Sequence, residues 1–277
     1  LGWSCNGANI GCFGLNRIFK LLSSIFSNIY LVLSNNILLN NALIWLKLDH
    51  KLQLSARQWK VFSYNKNKTE QENAGFSHKA DVQKAIDVLK LRFIDFITAN
   101  IPPANNVLDF GCGPGVYLKL LSDRYKISGI DVSQAMIEKA KQVLPYGSFY
   151  CENFLLQEFT QKYTLIYSIS TLEYVPVSKI KLFFKKCYDL LDEDGYLFIQ
   201  YPHALKLGDL LYSDRNYISY SPERIEKYCS DFFIIKTHEQ FFDNRKISRY
   251  DKTPYPTKSK DFRNGYLLIA QKRKSLL

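Results

Sequence analysis

Val107-Leu108-Asp109-Phe110-Gly111-Cys112-Gly113-Pro114-Gly115-Val116-Tyr117 is an apolar run that breaks into three alternating glycines and then resumes with helix-like spacing. It reads as a strand, a tight turn and the start of a helix. Glycine at 111, 113 and 115 allows positive φ and removes every Cβ, so a flat ligand can lie against the turn and reach the first amides of the helix. Such a turn suits a nucleotide-like cofactor. A second apolar run, Ile127-Ser128-Gly129-Ile130, ends in Asp131, twenty residues after Gly111. A carboxylate at the tip of a second strand can accept hydrogen bonds from both hydroxyls of a ribose. The dinucleotide fingerprint needs a glycine at position 116, where this chain has Val116. A cofactor without a pyrophosphate is therefore favoured.

Working outward, apolar runs and helical patterns alternate. Val82, Ala85, Ile86, Leu89, Phe93, Ile94 and Ile97 mark one helical face, which Asn100 and the Pro102-Pro103 pair terminate. Strands are expected near Asn106–Phe110, Lys126–Ile130, Ser148–Cys151, Thr164–Ser168 and Tyr196–Gln200. Helices are expected near Val116–Asp123, Gln134–Val143 with Ser133 as N-cap, and Val177–Leu191. Ser221 and Pro222 open a further short helix to Cys229, and Phe233–Glu239 and Gly265–Gln271 are the last two strands. This alternation predicts an α/β fold, a doubly wound and mostly parallel sheet covered on both faces.

These residues resemble the class I S-adenosylmethionine-dependent methyltransferases. The resemblance runs from about Phe93 to Arg273 through Val107–Tyr117, Asp131–Met136, Tyr150–Phe154, Leu165–Val175 and Leu190–Ile199, five motifs in the family's order. It implies a Rossmann-like seven-stranded sheet whose sixth strand is parallel and seventh antiparallel, and S-adenosyl-L-methionine as cofactor. By the same resemblance, Asp109, Gly111, Cys112, Gly113 and Gly115 face the methionine part of the cofactor. Asp131 holds the ribose, Val132 is a further cofactor-binding residue, Met136 or its neighbours touch the adenine, Glu152, Asn153 and Phe154 line its polar edge, and Ser168 lies at the mouth of the pocket. Three positions depart from the family's pattern: Asn153 and Thr164 stand where Asp is usual, and Tyr174 where His is usual.

Ligands of open parallel sheets bind at the carboxyl ends of the strands, where strand order reverses. The glycine turn, Asp131, Cys151 to Phe154, Ser168 to Thr171 and Tyr201-Pro202-His203 all fall on that edge. His203 is the candidate base, since an unperturbed imidazole titrates near 6.5. Glu173 and Tyr174 are secondary candidates. His238 reads as structural, and His50 and His78 lie outside the core.

The chain has 277 residues, is 47% hydrophobic and carries a net charge of +11. That supports a packed core. The charge invites a nucleic-acid partner, but Asn, Ile, Lys, Phe and Tyr are abundant together, as biased nucleotide usage produces. The fourth strand ends Ser168-Ile169-Ser170-Thr171 and lacks the Asn/Asp-Pro-Pro-Tyr signature of base amino methylation. Cysteines 5, 12, 112, 151, 187 and 229 show no metal or redox spacing, which fits reduced thiols in a cytoplasmic protein. Cys112 and Cys151 read as small apolar filler. No metal site is expected.

The first residue is Leu1 and the sole methionine is Met136, the pattern of an unusual start or of a piece of something longer. No charged residue occurs from Leu21 to Leu46, a stretch that would span roughly 39 Å as helix. Its many Ser and Asn side chains oppose a membrane span. Leu15, Ile18, Phe19, Leu22, Ile25, Phe26 and Ile29 recur at helical spacing, so an amphipathic helical extension is expected, with residues 13–48 able to meet a membrane surface. Residues 1–70 hold eight of the Lys and Arg against only Asp49 and Glu70. The expected division is a basic helical extension and linker, 1–70, and a catalytic domain, 71–277. The function expected is methyl transfer to a small or medium organic molecule at an O, N or C acceptor. The alternatives are a nucleic-acid methyltransferase and a non-catalytic binding module that keeps the fold and contacts a partner or membrane through its N-terminus.

Overall fold

A computed structural model describes residues 80–203, 220, 222–242 and 264–274. The expected extension 1–70, Ser221 and the histidines 50 and 78 lie outside the described residues.

The entering helix α1 spans Ala80–Asn100 and buries Leu89, Phe93 and Ile97 along one face. Strand β1 (Asn106–Phe110) follows, then β2 (Lys126–Asp131), helix α2 (Gln134–Val143) and β3 (Ser148–Cys151). Strand β4 (Tyr163–Ile169), helix α3 (Ile180–Leu190), β5 (Leu191–His203), helix α4 (Pro222–Ser230), β6 (Phe233–Phe242) and β7 (Asn264–Lys272) complete the described order. The strands form one sheet in the order β3-β2-β1-β4-β5-β7-β6. The pairs β1–β2, β1–β4, β2–β3 and β4–β5 are parallel, and β7 runs antiparallel to both β5 and β6. This is the doubly wound, seven-stranded Rossmann-like arrangement expected from the sequence.

Strand alternation divides the core in two. Val107, Leu165, Tyr167 and Phe198 meet α1 and α2 on one face, with Phe93 at the centre of the cluster. Its ring lies 4.6 Å from that of Tyr167 and 5.1 Å from that of Phe198. On the other face Leu108, Ile166, Leu197 and Ile199 meet Phe183, Phe184 and Cys187 of α3 and Ile225 and Cys229 of α4. Full burial of side chains this large stabilises the fold by about 1.5–3 kcal/mol each.

The helix expected over Val116–Asp123 is instead a series of turns with a single 3₁₀ turn at Leu118–Leu120. Its apolar face is kept, since Tyr117, Leu118, Leu121 and Tyr125 are all buried. The amides of Leu120 and Leu121 donate to the carbonyls of Tyr117 and Leu118, three residues back, so no continuous α-helical ladder forms. The strand expected at Tyr196–Gln200 is longer at both ends, starting directly from α3 at Leu191. No helix among the described residues is long and apolar enough to cross a membrane.

Candidate functional site

Between β1 and β4 the strand order reverses, and there the sheet opens at its carboxyl edge into a cavity of about 150 Å³. From β1 and its turn come Asp109, Phe110, Gly111, Cys112, Gly113, Val116 and Tyr117. Strand β2 and α2 add Ile130, Asp131, Val132 and Met136, and the turn after β3 adds Glu152, Asn153, Phe154 and Leu155. The segment after β4 closes the wall with Ile169, Ser170, Thr171, Tyr174, Val175 and Pro176.

The glycine turn is built as its sequence requires, with φ of 77°, 52° and 88° at Gly111, Gly113 and Gly115. The amides of Gly111 and Cys112 both donate to the Ile130 carbonyl, at 2.8 and 3.1 Å, which folds the turn over the end of β2. Asp131 locks this join. Its Oδ2 accepts from the Gly113 amide at 3.0 Å and its Oδ1 from the Ser133 amide at 2.9 Å. A carboxylate offers about four lone-pair directions, so acceptor capacity remains for a ligand. Burial raises the pKa of Asp131, and the amides of Ser133, Gly113 and Val132 oppose that shift. Ser133 is the N-cap of α2 as expected, its hydroxyl accepting from the Met136 amide at 3.4 Å, which brings Met136 to the cavity.

After β3, Glu152 accepts from the Asn153 amide at 2.6 Å through Oε1, and Asn153 Oδ1 accepts from the Leu155 amide at 2.9 Å. These turns carry Asn153 and Phe154 into the wall. Asp109 is 3% exposed. Burial pushes its carboxyl well above the usual carboxylate range, and the charge of Asp131 adds to that.

Eleven of the residues singled out from the sequence stand together on this wall: Asp109, Gly111, Cys112, Gly113, Asp131, Val132, Met136, Glu152, Asn153, Phe154 and Tyr174. Others do not. A Cβ on Gly115 would lie 3.0 Å from Leu144 Cδ1 and 3.7 Å from Ala140 Cβ, so Gly115 serves the packing of the turn on α2. Ser168 is buried one residue short of the wall, which begins at Ile169, because strand alternation turns it into the core. Glu173 is 5% exposed but lies off the wall, beside Tyr174, which is on it. His203 ends β5 opposite Asn264, and its side chain lies outside what the structure describes. His238 is held in the core, Nε2 2.7 Å from the Tyr201 hydroxyl and Nδ1 2.8 Å from Glu226 Oε1. Cys112 is buried filler, as expected, whereas Cys151 is exposed and does not fill a core position. Among the described residues no cluster of His, Cys, Asp and Glu could hold a metal ion.

Val175, Pro176, Tyr117 and Leu155 also line the cavity without a site signal in the sequence, where Ser170 and Thr171 show only as part of a polar cluster. An apolar residue after a strand carries no signal of its own. The positive φ of 53° at Ser170 is likewise invisible in the sequence.

The family model described as "Methyltransferase domain" matches residues 78–250. The chain belongs to the methyltransferase domain family. This methyltransferase domain is 36% identical over 104 residues to the trans-aconitate 2-methyltransferase of Agrobacterium fabrum, a match covering 36% of this chain and 40% of that protein. The chain thus spans about two-fifths of the length of that relative. The fold is similar to that of the N-methyltransferase NodS from Bradyrhizobium japonicum WM9, solved with S-adenosyl-L-homocysteine. That likeness has a TM-score of 0.58 at 12% identity and covers 81% of this chain and 100% of that one. It is also similar to the fold of the magnesium protoporphyrin IX methyltransferase of Synechocystis PCC 6803 with bound S-adenosylmethionine, with a TM-score of 0.56 at 16% identity over 80% of this chain and 97% of that one.

Proposed function

We propose that this methyltransferase domain binds S-adenosyl-L-methionine in the cavity at the carboxyl edge of the sheet and methylates a small or medium organic molecule. The observation that carries the reading is Asp131, anchored by the Gly113 and Ser133 amides opposite the glycine turn with acceptor capacity to spare. That arrangement fits a ribose. The charged side chains of the described wall, Asp109, Asp131 and Glu152, are all acidic, which suits a ligand bearing an ammonium and a sulfonium better than one bearing phosphates. When bound, S-adenosylmethionine supplies an electrophilic methyl group on a positively charged sulfur.

The chain's own residues bind and align. Asp131 holds the ribose hydroxyls, Met136 and Phe154 give the adenine apolar surfaces, and Asn153 meets its polar edge. Asp109 and the glycine turn take the methionine end. In-line displacement depends chiefly on alignment and exclusion of water, which together can supply about 7–11 kcal/mol. Tyr174, which lines the cavity, is the candidate proton-handling group. The acceptors named in the relatives, trans-aconitate and magnesium protoporphyrin IX, are both organic molecules of the proposed class.

Calorimetry with S-adenosylmethionine, S-adenosylhomocysteine and NAD tests the assignment. Micromolar binding of the first two and poor binding of NAD is expected. Tighter binding of NAD would overturn it.

A further inference from the structure

Strand β4 ends at Ile169, and the chain then makes a turn that its sequence does not favour. Ser170 sits at φ 53°, in the left-handed region, where Gly, Asn and Asp are at home and Ser is uncommon. A strained residue of this kind persists only where its surroundings fix it. Here the fixing group is Gln200 of β5, 4% exposed and registered opposite Ile169. The Ser170 amide donates to the Gln200 carbonyl at 3.0 Å, and the Ser170 hydroxyl donates to Gln200 Oε1 at 2.8 Å.

The turn delivers Thr171 onto the glycine turn. A Cβ built on Gly111 would lie 2.1 Å from Thr171 Oγ1 and 2.3 Å from Thr171 Cγ2, so the threonine occupies the space that the missing side chain leaves. Gly111, Ser170 and Thr171 all line the cavity. The two sides of the site therefore meet where Thr171 covers Gly111, one residue after the turn at Ser170.

We propose that Ser170 is a positioning residue of this site: clamped by Gln200 in a left-handed turn, it seats Thr171 against Gly111 and fixes the glycine turn in the form that receives the cofactor. This rests on the S-adenosylmethionine reading above. Loss of the hydroxyl leaves the strained backbone without its side-chain clamp and loosens the Thr171–Gly111 contact, while Asp131 and its two amides are untouched.

The test is a set of variants, Ser170→Ala, Gln200→Met, both together and Ser170→Asn, each titrated with S-adenosylhomocysteine by calorimetry and melted without ligand. Wild type is titrated first. Ser170→Ala and Gln200→Met should each weaken binding about three- to tenfold, the range for one neutral hydrogen bond. The double variant should be no weaker than either single one, because both remove the same contact. Ser170→Asn should restore affinity, since asparagine accepts the left-handed turn and its amide can donate to Gln200. Gln200→Met leaves the backbone bond from Ser170 intact and keeps the test open if Ser170→Ala folds poorly. Unchanged affinity in both single variants, or lower melting temperature with unchanged affinity, overturns the inference while leaving the cofactor assignment standing. A wild-type protein that binds no S-adenosylhomocysteine overturns both.

Discussion

Asp109 of β1 and Tyr167 of β4 stand opposite each other across the two strands at which the sheet order reverses, and both are buried. Burial holds the Asp109 carboxyl well above its usual range; the Tyr167 hydroxyl draws it partly back, and the Asp131 charge raises it again. Burial, followed by the charge of Asp109, in turn pushes the Tyr167 phenol up. Burial thus disfavours the ionised form of Asp109, the form that a cationic ligand would prefer.

The sign of the resulting pH dependence is definite. A carboxyl whose folded-state pKa is raised holds a proton that the unfolded chain has released, so it lowers stability as pH rises from the unfolded value, near 3.9, towards the folded one. Asp109→Asn removes that slope. The ligand-free variant should melt higher than wild type at neutral pH, with the difference shrinking to nothing near pH 4. Its affinity for S-adenosylmethionine should fall. Melting curves between pH 4 and 8 check this, and a difference independent of pH would remove Asp109 as its source.

Asp131→Ala has two consequences. It removes the group assigned to the ribose, which should weaken cofactor binding by about 1.5–3 kcal/mol, the range for hydrogen bonds to a charged partner. It also releases the Gly113 and Ser133 amides, so the ligand-free protein should lose stability as well. Asp131→Asn, which keeps an acceptor but loses the charge, should fall between Ala and wild type in affinity. If Asp131→Ala destabilises the protein but binds cofactor normally, the ribose is held elsewhere.

How much of this was legible in the sequence depended on which force set each feature. The Gly111–Gly115 turn, Asp131 and the N-cap at Ser133 could be read because each is a local chemical requirement. The boundaries of α2 and β3 coincide with their expected ranges, since hydrophobic period and turn residues agree there. The segment after Gly115 could not be read as well. Its helical period was real, yet packing of Tyr117, Leu118 and Leu121 is met by turns and a 3₁₀ turn. Ser168 is buried within β4 one residue before the wall begins at Ile169, and a shift of one residue along a strand turns a side chain to the other face. The contact of Thr171 with Gly111 joins residues sixty apart, which no local pattern encodes.

Lys186 illustrates another such long-range feature. From α3 its ammonium donates to the carbonyls of Leu155 at 3.0 Å and Gln157 at 2.6 Å, and it lies 5.6 Å from the ring centre of Phe154. Burial lowers its pKa. Because Phe154 and Leu155 line the cavity, Lys186→Met should loosen the turn that carries them. The expected loss of stability is about 1 kcal/mol, a fall in Tm of about 2–4 °C for a domain of this size. Cofactor affinity should fall too, with partial recovery in Lys186→Arg. Calorimetry with S-adenosylhomocysteine separates the two effects, and unchanged affinity would confine Lys186 to stability.

Residues 1–70 have a basic, amphipathic sequence, which motivates the hypothesis of a lid or surface anchor distinct from the methyltransferase domain. The methyltransferase match begins at residue 78 and α1 at Ala80, so a chain starting near Gln71 retains both. Every residue assigned to the cofactor also lies beyond Asn106. The shortened chain should therefore fold cooperatively and bind S-adenosylhomocysteine within about threefold of the 277-residue chain, a difference under 1 kcal/mol. If the extension is a lid, turnover without membranes should fall. If it is an anchor, turnover in solution should survive while sedimentation of the 277-residue chain with vesicles of phosphatidylserine and phosphatidylcholine is lost on truncation. Failure of the shortened chain to fold would instead make the apolar face of Leu15 to Ile29 part of the main core, and the boundary near residue 70 would have to be abandoned.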